Sequence, residues 1–299
     1  MRLGGGPESD NFEDRTGQSG GGFGLGGGGG NPLGCLIPLV ASRFGIGGVI
    51  VVVIGYFLLS SLGGLGGGGG GGSLVPGSQQ SAPAGKSTLD PNTQRFLRTV
   101  LGYTEQTWGQ IFAKNGERYT PTRMVAYRSG TQSGCGAAQA AMGPFYCPTD
   151  KQIYIDPSFF NELSQRFGAP GDFAQAYVIA HEVGHHVQDL EGSLDQAHNL
   201  QARSSETEGN AIQVKVELQA DCYAGVWAAN TKDPQGQSVM EQGDFEEGMR
   251  AAEAIGDDTL QKQSQGVVVP DSFTHGSSAQ RMEALQRGYK SGDPSVCKF

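Results

Sequence analysis

The sequence predicts an α+β domain, mainly helical with a small β-sheet, preceded by one membrane-spanning helix. Apolar residues recur at helical spacing through most of residues 172–288. Short runs containing valine, tyrosine and isoleucine lie between residues 123 and 155, separated by turn residues. Residues 44–62 are nineteen consecutive uncharged residues, which at about 1.5 Å per residue reach roughly the 30 Å of a bilayer core.

The distribution of glycine predicts the domain boundaries. Of 50 glycines, 29 precede residue 91, and such sequence cannot bury enough apolar surface to offset the entropy of ordering it. We therefore predict a disordered tail over residues 1–43, a transmembrane helix over 44–62 and a flexible linker over 63–89. Residues 90–299 are then one folded domain of ordinary size.

Within that domain each element has its own signal. Asp90-Pro91 begins a helix, because apolar residues recur at helical spacing through Phe112. A strand is predicted over residues 123–128, and a hairpin is predicted from residues 143–147 and 152–155. Further helices are expected over residues 156–167, 172–190, 206–230, 236–256 and 276–288.

The apolar run at residues 44–62 has two other interpretations. A buried core helix is disfavoured because coreless, glycine-rich sequence flanks the run on both sides. A cleaved signal peptide is disfavoured because the run begins late in the chain. Arg43 precedes the run and the next basic residue is Lys86, so the positive-inside bias places the N-terminal part in the cytoplasm. The predicted location is the cytoplasmic membrane, with the folded domain outside.

Charge and cysteine content restrict the partners and the compartment. The formal net charge is -9 and no Lys/Arg-rich run occurs, which excludes a nucleic-acid partner. Four cysteines follow the apolar run, an even number in an oxidising space, and three pairings are possible. We favour Cys135–Cys147, which flank one short loop, and then Cys222–Cys297. Buried free thiols are the alternative.

One motif points to metal chemistry. His181, Glu182 and His185 form an H-E-x-x-H sequence in an apolar helical pattern. Residues four apart lie about 40° apart around a helix, so both imidazoles face one way, as two ligands of one zinc ion require. Glu182 would then act as general base on a water activated by the metal. The alternative, a surface helix with incidental histidines, fits the surrounding apolar stripe poorly.

The third ligand has to come from another part of the chain. The metzincin pattern requires Gly at 188 and His at 191, where this chain has Gln188 and Glu191. Glu217 and Asp221 share one face of a later apolar helix, where two carboxylates repel each other and are costly to bury. We assign Glu217 to zinc and Asp221 to a hydrogen bond with a ligand histidine. There are two alternatives: both acids lie on a solvated helix face, or Glu217 and Asp221 exchange roles.

The motifs HEVGHH, ELQADCYAGVWA and FTHGSSAQR resemble the bacterial family described as putative neutral zinc metallopeptidase. They resemble more distantly the membrane metallopeptidases with H-E-x-x-H and a downstream E-x-x-x-D. The likeness covers about residues 90–299 and implies a zincin-like peptidase domain with one Zn²⁺. In the distant group the first acid of the second motif binds zinc and the aspartate orients a histidine, which matches Glu217 and Asp221.

The third motif concerns His275 and Arg281. It is similar to a Thr-His-Pro…Arg motif of the same membrane enzymes, with Gly276 in place of proline. The resemblance implies that His275 donates a hydrogen bond to the oxyanion of the attacked carbonyl. Arg281 would pair with a buried carboxylate such as Asp221. A purely structural histidine is the alternative.

These observations favour a membrane-anchored zinc endopeptidase acting on peptide or protein substrates. Two other hypotheses use the same residues: a catalytically silent zinc-binding scaffold of the cell envelope, and a zinc amidase acting on cell-wall peptides. The sequence specifies neither the cleavage preference nor the oligomeric state.

Overall fold

The computed structural model describes residues 1–18 and 86–298. The strands are β1 (Phe12–Asp14), β2 (Arg123–Ala126), β3 (Gly130–Ser133), β4 (Gly136–Gln139), β5 (Phe145–Cys147) and β6 (Gln152–Ile155). The α-helices in these residues are α1 (Pro91–Lys114), α2 (Ser158–Gln165), α3 (Asp172–Glu191), α4 (Ser193–Gln201), α5 (Glu206–Asn230), α6 (Asp244–Ala254), α7 (Asp257–Gln265) and α8 (Ser278–Ser291). Short 3₁₀ turns occur at Ala140–Met142, Pro270–Ser272 and Pro294–Cys297. The mixed α+β architecture agrees with the prediction.

The main sheet has the strand order β1-β2-β6-β5. Strands β1, β2 and β6 run parallel, and β5 is antiparallel to β6, with Phe145 opposite Tyr154. The predicted hairpin is therefore confirmed as β5–β6. The β3–β4 hairpin was not predicted, because its residues lack the alternation of apolar and polar side chains that marks a half-buried strand.

The prediction of a disordered tail is wrong for residues 1–18. Strand β1 pairs with β2, with Phe12 opposite Met124. The Arg98 side chain donates to the Ser9 carbonyl at 2.9 Å. Gly102 in α1 allows the approach of this segment, since a Cβ there would lie 2.2 Å from the Pro7 carbonyl oxygen. Partners about a hundred residues away order the segment, and local composition does not reveal them.

The predicted transmembrane helix over residues 44–62 lies outside the described residues, as do residues 19–43 of the predicted tail and most of the predicted linker. In the described ranges, 1–18 and 86–298, no helix combines the length and apolar character that a membrane crossing needs. Thr88 donates its N–H to the Thr16 hydroxyl at 3.1 Å and its own hydroxyl to the Thr16 carbonyl at 3.1 Å. The two described ranges therefore belong to one folded body, whereas the predicted orientation puts them on opposite sides of a membrane.

The helix boundaries follow from capping chemistry. Asp90 caps α1 by accepting from the N–H groups of Asn92 and Thr93, with Pro91 at the first helical position. Ser205 and Glu208 form a capping box at the start of α5. Helix α3 ends at Gly192, whose φ of 76° suits a left-handed C-cap.

Close packing of α3, α5 and α8 positions the candidate site. A Cβ on Gly184 of α3 would lie 3.0 Å from the Ala220 Cα of α5. Between α5 and α8 the approach is closer, since a Cβ on Gly225 would lie 2.1 Å from the Leu285 carbonyl oxygen. These small residues bring two helix backbones against α5, so side chains on the three helices can meet.

Candidate metal centre

Helices α3 and α5 bring the three predicted ligands together. The Nε2 atoms of His181 and His185 lie 3.2 and 3.6 Å from Glu217 Oε2. Zinc bonds of about 2.0–2.1 Å in a tetrahedron put neighbouring ligand atoms roughly 3.3 Å apart. The three side chains therefore fit one zinc ion.

Each imidazole is held through its other nitrogen. His181 Nδ1 lies 2.8 Å from Asp221 Oδ1, and His185 Nδ1 lies 2.8 Å from Gln188 Oε1. Because both acceptors are oxygens, each Nδ1 donates its proton to one of them, and each Nε2 is the nitrogen that faces Glu217. This is the ring orientation that metal coordination through Nε2 requires.

Two glutamines of the site were not identified from the sequence. Besides accepting from His185, Gln188 donates its amide to the Val216 carbonyl at 2.7 Å and to Gln219 Oε1 at 2.8 Å. Gln213 donates to Glu217 Oε1 at 3.0 Å, which leaves Oε2 as the oxygen facing the histidines. One signal could have found them: Gln188 lies three residues after His185 and Gln213 four before Glu217, spacings that put side chains on one helix face.

Asp221 lies at the centre of a buried ion pair. Arg281 donates to both of its oxygens, each at 2.9 Å, and the Tyr177 hydroxyl donates to Oδ1 at 2.5 Å. Burial raises the pKa of Asp221, but the charges of Arg281 and His181 outweigh it and hold the pKa at about 2. Asp221 is therefore an anion, as the sequence analysis expected, and Arg281 is its counter-ion. Tyr177 was not predicted.

Glu182 is placed as a buried base next to the ligands. Glu182 is 7% exposed. Burial raises its pKa, while the charges of His181 and His185 lower it. The backbone of Tyr146 in β5 also lowers the pKa of Glu182. A carboxylate whose pKa is raised towards neutrality is well matched to proton transfer.

His275 lies in the turn before α8 and is held by a residue that sequence reasoning missed. Asp257 Oδ2 accepts from the backbone N–H groups of Thr274, His275 and Gly276, and Oδ1 lies 3.3 Å from His275 Nδ1. Burial lowers the pKa of His275, but the hydrogen bond to Asp257 and the charges of Glu217 and Asp257 outweigh it and raise the pKa. Gly276 has a φ of 91°, which proline cannot adopt, so the backbone here differs from the Thr-His-Pro motif.

These side chains open into one cavity of about 1020 Å³. Its lining includes the three ligands, Glu182, His275, Tyr177 and Arg281. The β3–β4 hairpin reaches its rim and is tied to β5 by the disulfide Cys135–Cys147. The second disulfide, Cys222–Cys297, joins α5 to the C-terminal turn. Both predicted pairings are present in the structure.

A second group of acidic side chains is explained without a metal. Asp172, Asp244 and Glu247 also bring carboxylate oxygens within 4.8 Å of one another. The amino group of Met1 lies 2.7 Å from Asp172 and 3.2 Å from Asp244, and Glu247 accepts from the Phe173 N–H. Their charges therefore already have partners.

Comparison with known proteins agrees with this geometry. Residues 1–299 match the family described as "Putative neutral zinc metallopeptidase". The chain belongs to this family. It is 46% identical to "Uncharacterized protein YpfJ" of Escherichia coli K12 over 303 residues, covering 99% of this chain and 98% of that protein. It is 39% identical to "Uncharacterized protein Rv2575" of Mycobacterium tuberculosis over 214 residues, covering 69% and 71%. No solved structure matches the chain.

The family assignment extends over the N-terminal segment as well as the domain. The match begins at residue 1, and the Escherichia coli relative aligns over almost its whole length. Strand β1 thus lies within the part that this metallopeptidase family shares.

Proposed function

We propose that the protein is a peptidase that uses one zinc ion, held by His181, His185 and Glu217, to hydrolyse peptide bonds. One observation carries the proposal. The Nε2 atoms of His181 and His185 lie 3.2 and 3.6 Å from Glu217 Oε2, and the buried Glu182 lies beside them. Family membership supports zinc as the metal. Nitrogen and oxygen ligands in this number are typical of catalytic zinc sites, which leave one position open.

When bound, zinc supplies a Lewis acid that makes water acidic enough to lose a proton near neutral pH. Glu182 is the residue that takes this proton and passes it to the amine that leaves. His275 lines the same cavity, and Asp257 fixes its Nδ1 side. Its Nε2–H is then free to donate to the oxyanion that develops on the carbonyl.

We also propose that the described body works in an oxidising compartment, outside the cytoplasm. Two disulfides support this, since such bonds are rare in cytosolic proteins. Because β1 belongs to the same sheet, residues 1–18 would occupy that compartment too. Attachment to the membrane through residues 44–62 stays a prediction.

The test of the function is Glu182→Gln. We expect this variant to keep zinc, because Glu182 is not a ligand, and to lose about 10²–10⁴-fold in peptide cleavage, the usual contribution of a general base. Zinc content by elemental analysis and cleavage of a reduced, unfolded protein would be measured on the full chain.

Glu191→Gln is the matched control. Glu191 is the last residue of the same helix and bonds to the Tyr223 hydroxyl at 2.6 Å, away from the ligands. Its replacement should leave cleavage within a few-fold of the original. Undiminished cleavage by Glu182→Gln would contradict the proposal, and zinc binding without any cleavage by the unaltered chain would favour a scaffold.

A further inference from the structure

Much of the cavity lining is apolar. Phe159 of α2 belongs to it, and its ring lies 3.7 Å from where a Cβ on Gly143 would be. Its neighbour Phe160 instead packs in the core against Phe96. Other apolar side chains of the lining include Met142, Pro144, Phe167, Val178 and Leu194.

The same lining carries little charge outside the catalytic group. Among the described residues that line the cavity, the carboxylates are Glu182 and Glu217, although the chain contains 30 acidic residues. Arg166 is the cation of the lining besides Arg281, and its side chain is 51% exposed. The cavity thus offers no free carboxylate for a basic substrate side chain and one exposed cation for an acidic substrate.

Exposed apolar residues continue beyond the cavity. Among the residues that the structure describes, the large hydrophobic side chains that are exposed are Leu200, Val267, Val268 and Val269. Leu200 lies in α4, whose His198 and Gln201 line the cavity, and the three valines follow α7, whose Gln263 and Ser264 line it. A hydrogen bond of 3.0 Å from Asn210 to the Asp271 carbonyl joins the segment after the valines to α5.

The edge of the main sheet also faces the cavity. Strand β5 is the last strand of the sheet, and Phe145 and Tyr146 line the cavity. Glu182 lines the same cavity, so β5 borders the catalytic group. An extended main chain is the ligand that such an edge accepts.

From the cavity lining and its rim we propose that the substrate is an extended polypeptide segment with bulky apolar side chains, of the kind exposed when a protein unfolds. The inference deepens the proposed function and rests on it. The apolar lining around Phe159 takes one large side chain next to the scissile bond. The rim formed by Leu200 and Val267–Val269 contacts apolar side chains further along the segment.

The test is binding to the zinc-loaded Glu182→Gln full chain, which separates recognition from turnover. Fluorescent twelve-residue peptides of matched length, either leucine- and phenylalanine-rich or rich in glutamate or lysine, are titrated by anisotropy. We expect the apolar peptide to bind at least tenfold more tightly than either charged one. Equal binding of all three, or preference for the acidic peptide, would overturn the inference.

Two variants in the same background locate the contact. Phe159→Ser should weaken binding of the apolar peptide about tenfold or more, since a buried phenylalanine contact is lost. Phe245→Ser is the matched control, because Phe245 stacks on Tyr289 outside the cavity. The surface double variant Val267→Ser/Val269→Ser removes no core contact. It should weaken binding of a twelve-residue apolar peptide several-fold and binding of a four-residue one much less. If Phe159→Ser and Val267→Ser/Val269→Ser both bind the apolar peptide as tightly as the parent, the proposal is contradicted.

Cleavage by the unaltered zinc-loaded chain distinguishes failure of this inference from failure of the proposed peptidase function. Cuts next to leucine, phenylalanine or methionine in a digest of an unfolded protein would support both. Cleavage without such a preference would contradict the inference alone. No cleavage of any protein or peptide would contradict the proposed peptidase function itself.

Discussion

At the scale of single residues, the two candidate ligand histidines are held by different chemistry. His181 donates to the anion Asp221, while His185 donates to the neutral amide of Gln188. Arg281 neutralises Asp221 from the far side, so Glu217 is left as the uncompensated carboxylate facing the histidines. One negative ligand and two neutral ones suit a divalent ion that must remain a Lewis acid.

We predict that Gln188→Leu lowers the affinity for zinc about 10–100-fold, the usual effect of losing a partner of a ligand histidine. The isosteric apolar side chain cannot accept from His185 Nδ1. Competition with a coloured chelator measures the affinity.

Gln219→Leu serves as the control for Gln188→Leu. Gln219 is buried in the same network and bonds to Gln188, but it does not touch a histidine. Both variants should lose stability of about 1–3 kcal/mol from unpaired buried groups. An equal loss of zinc affinity in the two would show that general packing, and not the His185 contact, controls the metal.

The grouping of the candidate ligands was predictable from sequence, and several of the side chains that hold them were not. The spacing of H-E-x-x-H fixes two imidazoles on one helix face, and Glu217 and Asp221 share a face four residues apart. Gln188 and Gln213 are unremarkable amides until the fold shows what they touch. Asp257 lies 18 residues from His275, and only the packing of α7 against the start of α8 brings them together.

At the scale of elements, the distance between α3 and α5 sets the metal geometry. His181 and His185 lie on one helix and Glu217 on the other, and Gly184 lies between the two histidines. A Cβ on Gly184 would lie 3.0 Å from both the Ala220 Cα and its carbonyl oxygen. Any side chain there moves backbone and separates the ligands.

We therefore predict that Gly184→Ala weakens zinc binding by at least tenfold and destabilises the fold by about 1–3 kcal/mol, the usual cost of overpacking. Isothermal titration and thermal unfolding would measure the two effects. In α1, Gly109 has open space around its Cβ position, so Gly109→Ala should stabilise the helix by about 0.4–1 kcal/mol. Zinc binding unchanged by Gly184→Ala would contradict this role of helix spacing.

The elements with strong local signals were predicted well. Helix α5 spans the predicted residues 206–230, α3 lies within one residue of its prediction, and Asp90 begins α1 as expected. The predicted helix 236–256 begins later, at Asp244, because Gly236 and Gly243 adopt positive φ. Helices α4 and α7 were missed, because each is short, has few apolar side chains and lacks an Asp-Pro start such as the one that marks α2.

At the scale of the whole molecule, residues 1–18 and 86–298 form one body. A β-ladder, the Thr16–Thr88 pair and the packing of Pro7 on Gly102 join them. The sequence shows no sign of this unity, because long-range strand pairing has no local signature and the adjacent glycine tracts dominate the composition. A single membrane crossing between residues 18 and 86 would place partners of one sheet in two compartments.

We predict that positions 10 and 95 label alike with a membrane-impermeant maleimide in intact cells. The side chains of Asp10 and Arg95 are 100% and 73% exposed, so Asp10→Cys and Arg95→Cys, each in a Cys35→Ser background, are accessible without disturbing the core. Permeabilised cells provide the full-labelling control. Labelling at position 95 alone would contradict the shared compartment.

The most direct test of the central claim is the crystal structure of the zinc-loaded full chain, with the ion located by its anomalous scattering. We expect one zinc ion per chain, with His181 and His185 nitrogens at about 2.0–2.1 Å and Glu217 oxygen at about 2.0–2.2 Å. Zinc at the carboxylates of Asp172, Asp244 and Glu247, or bound at His181 and His185 with Glu217 turned away, would contradict it.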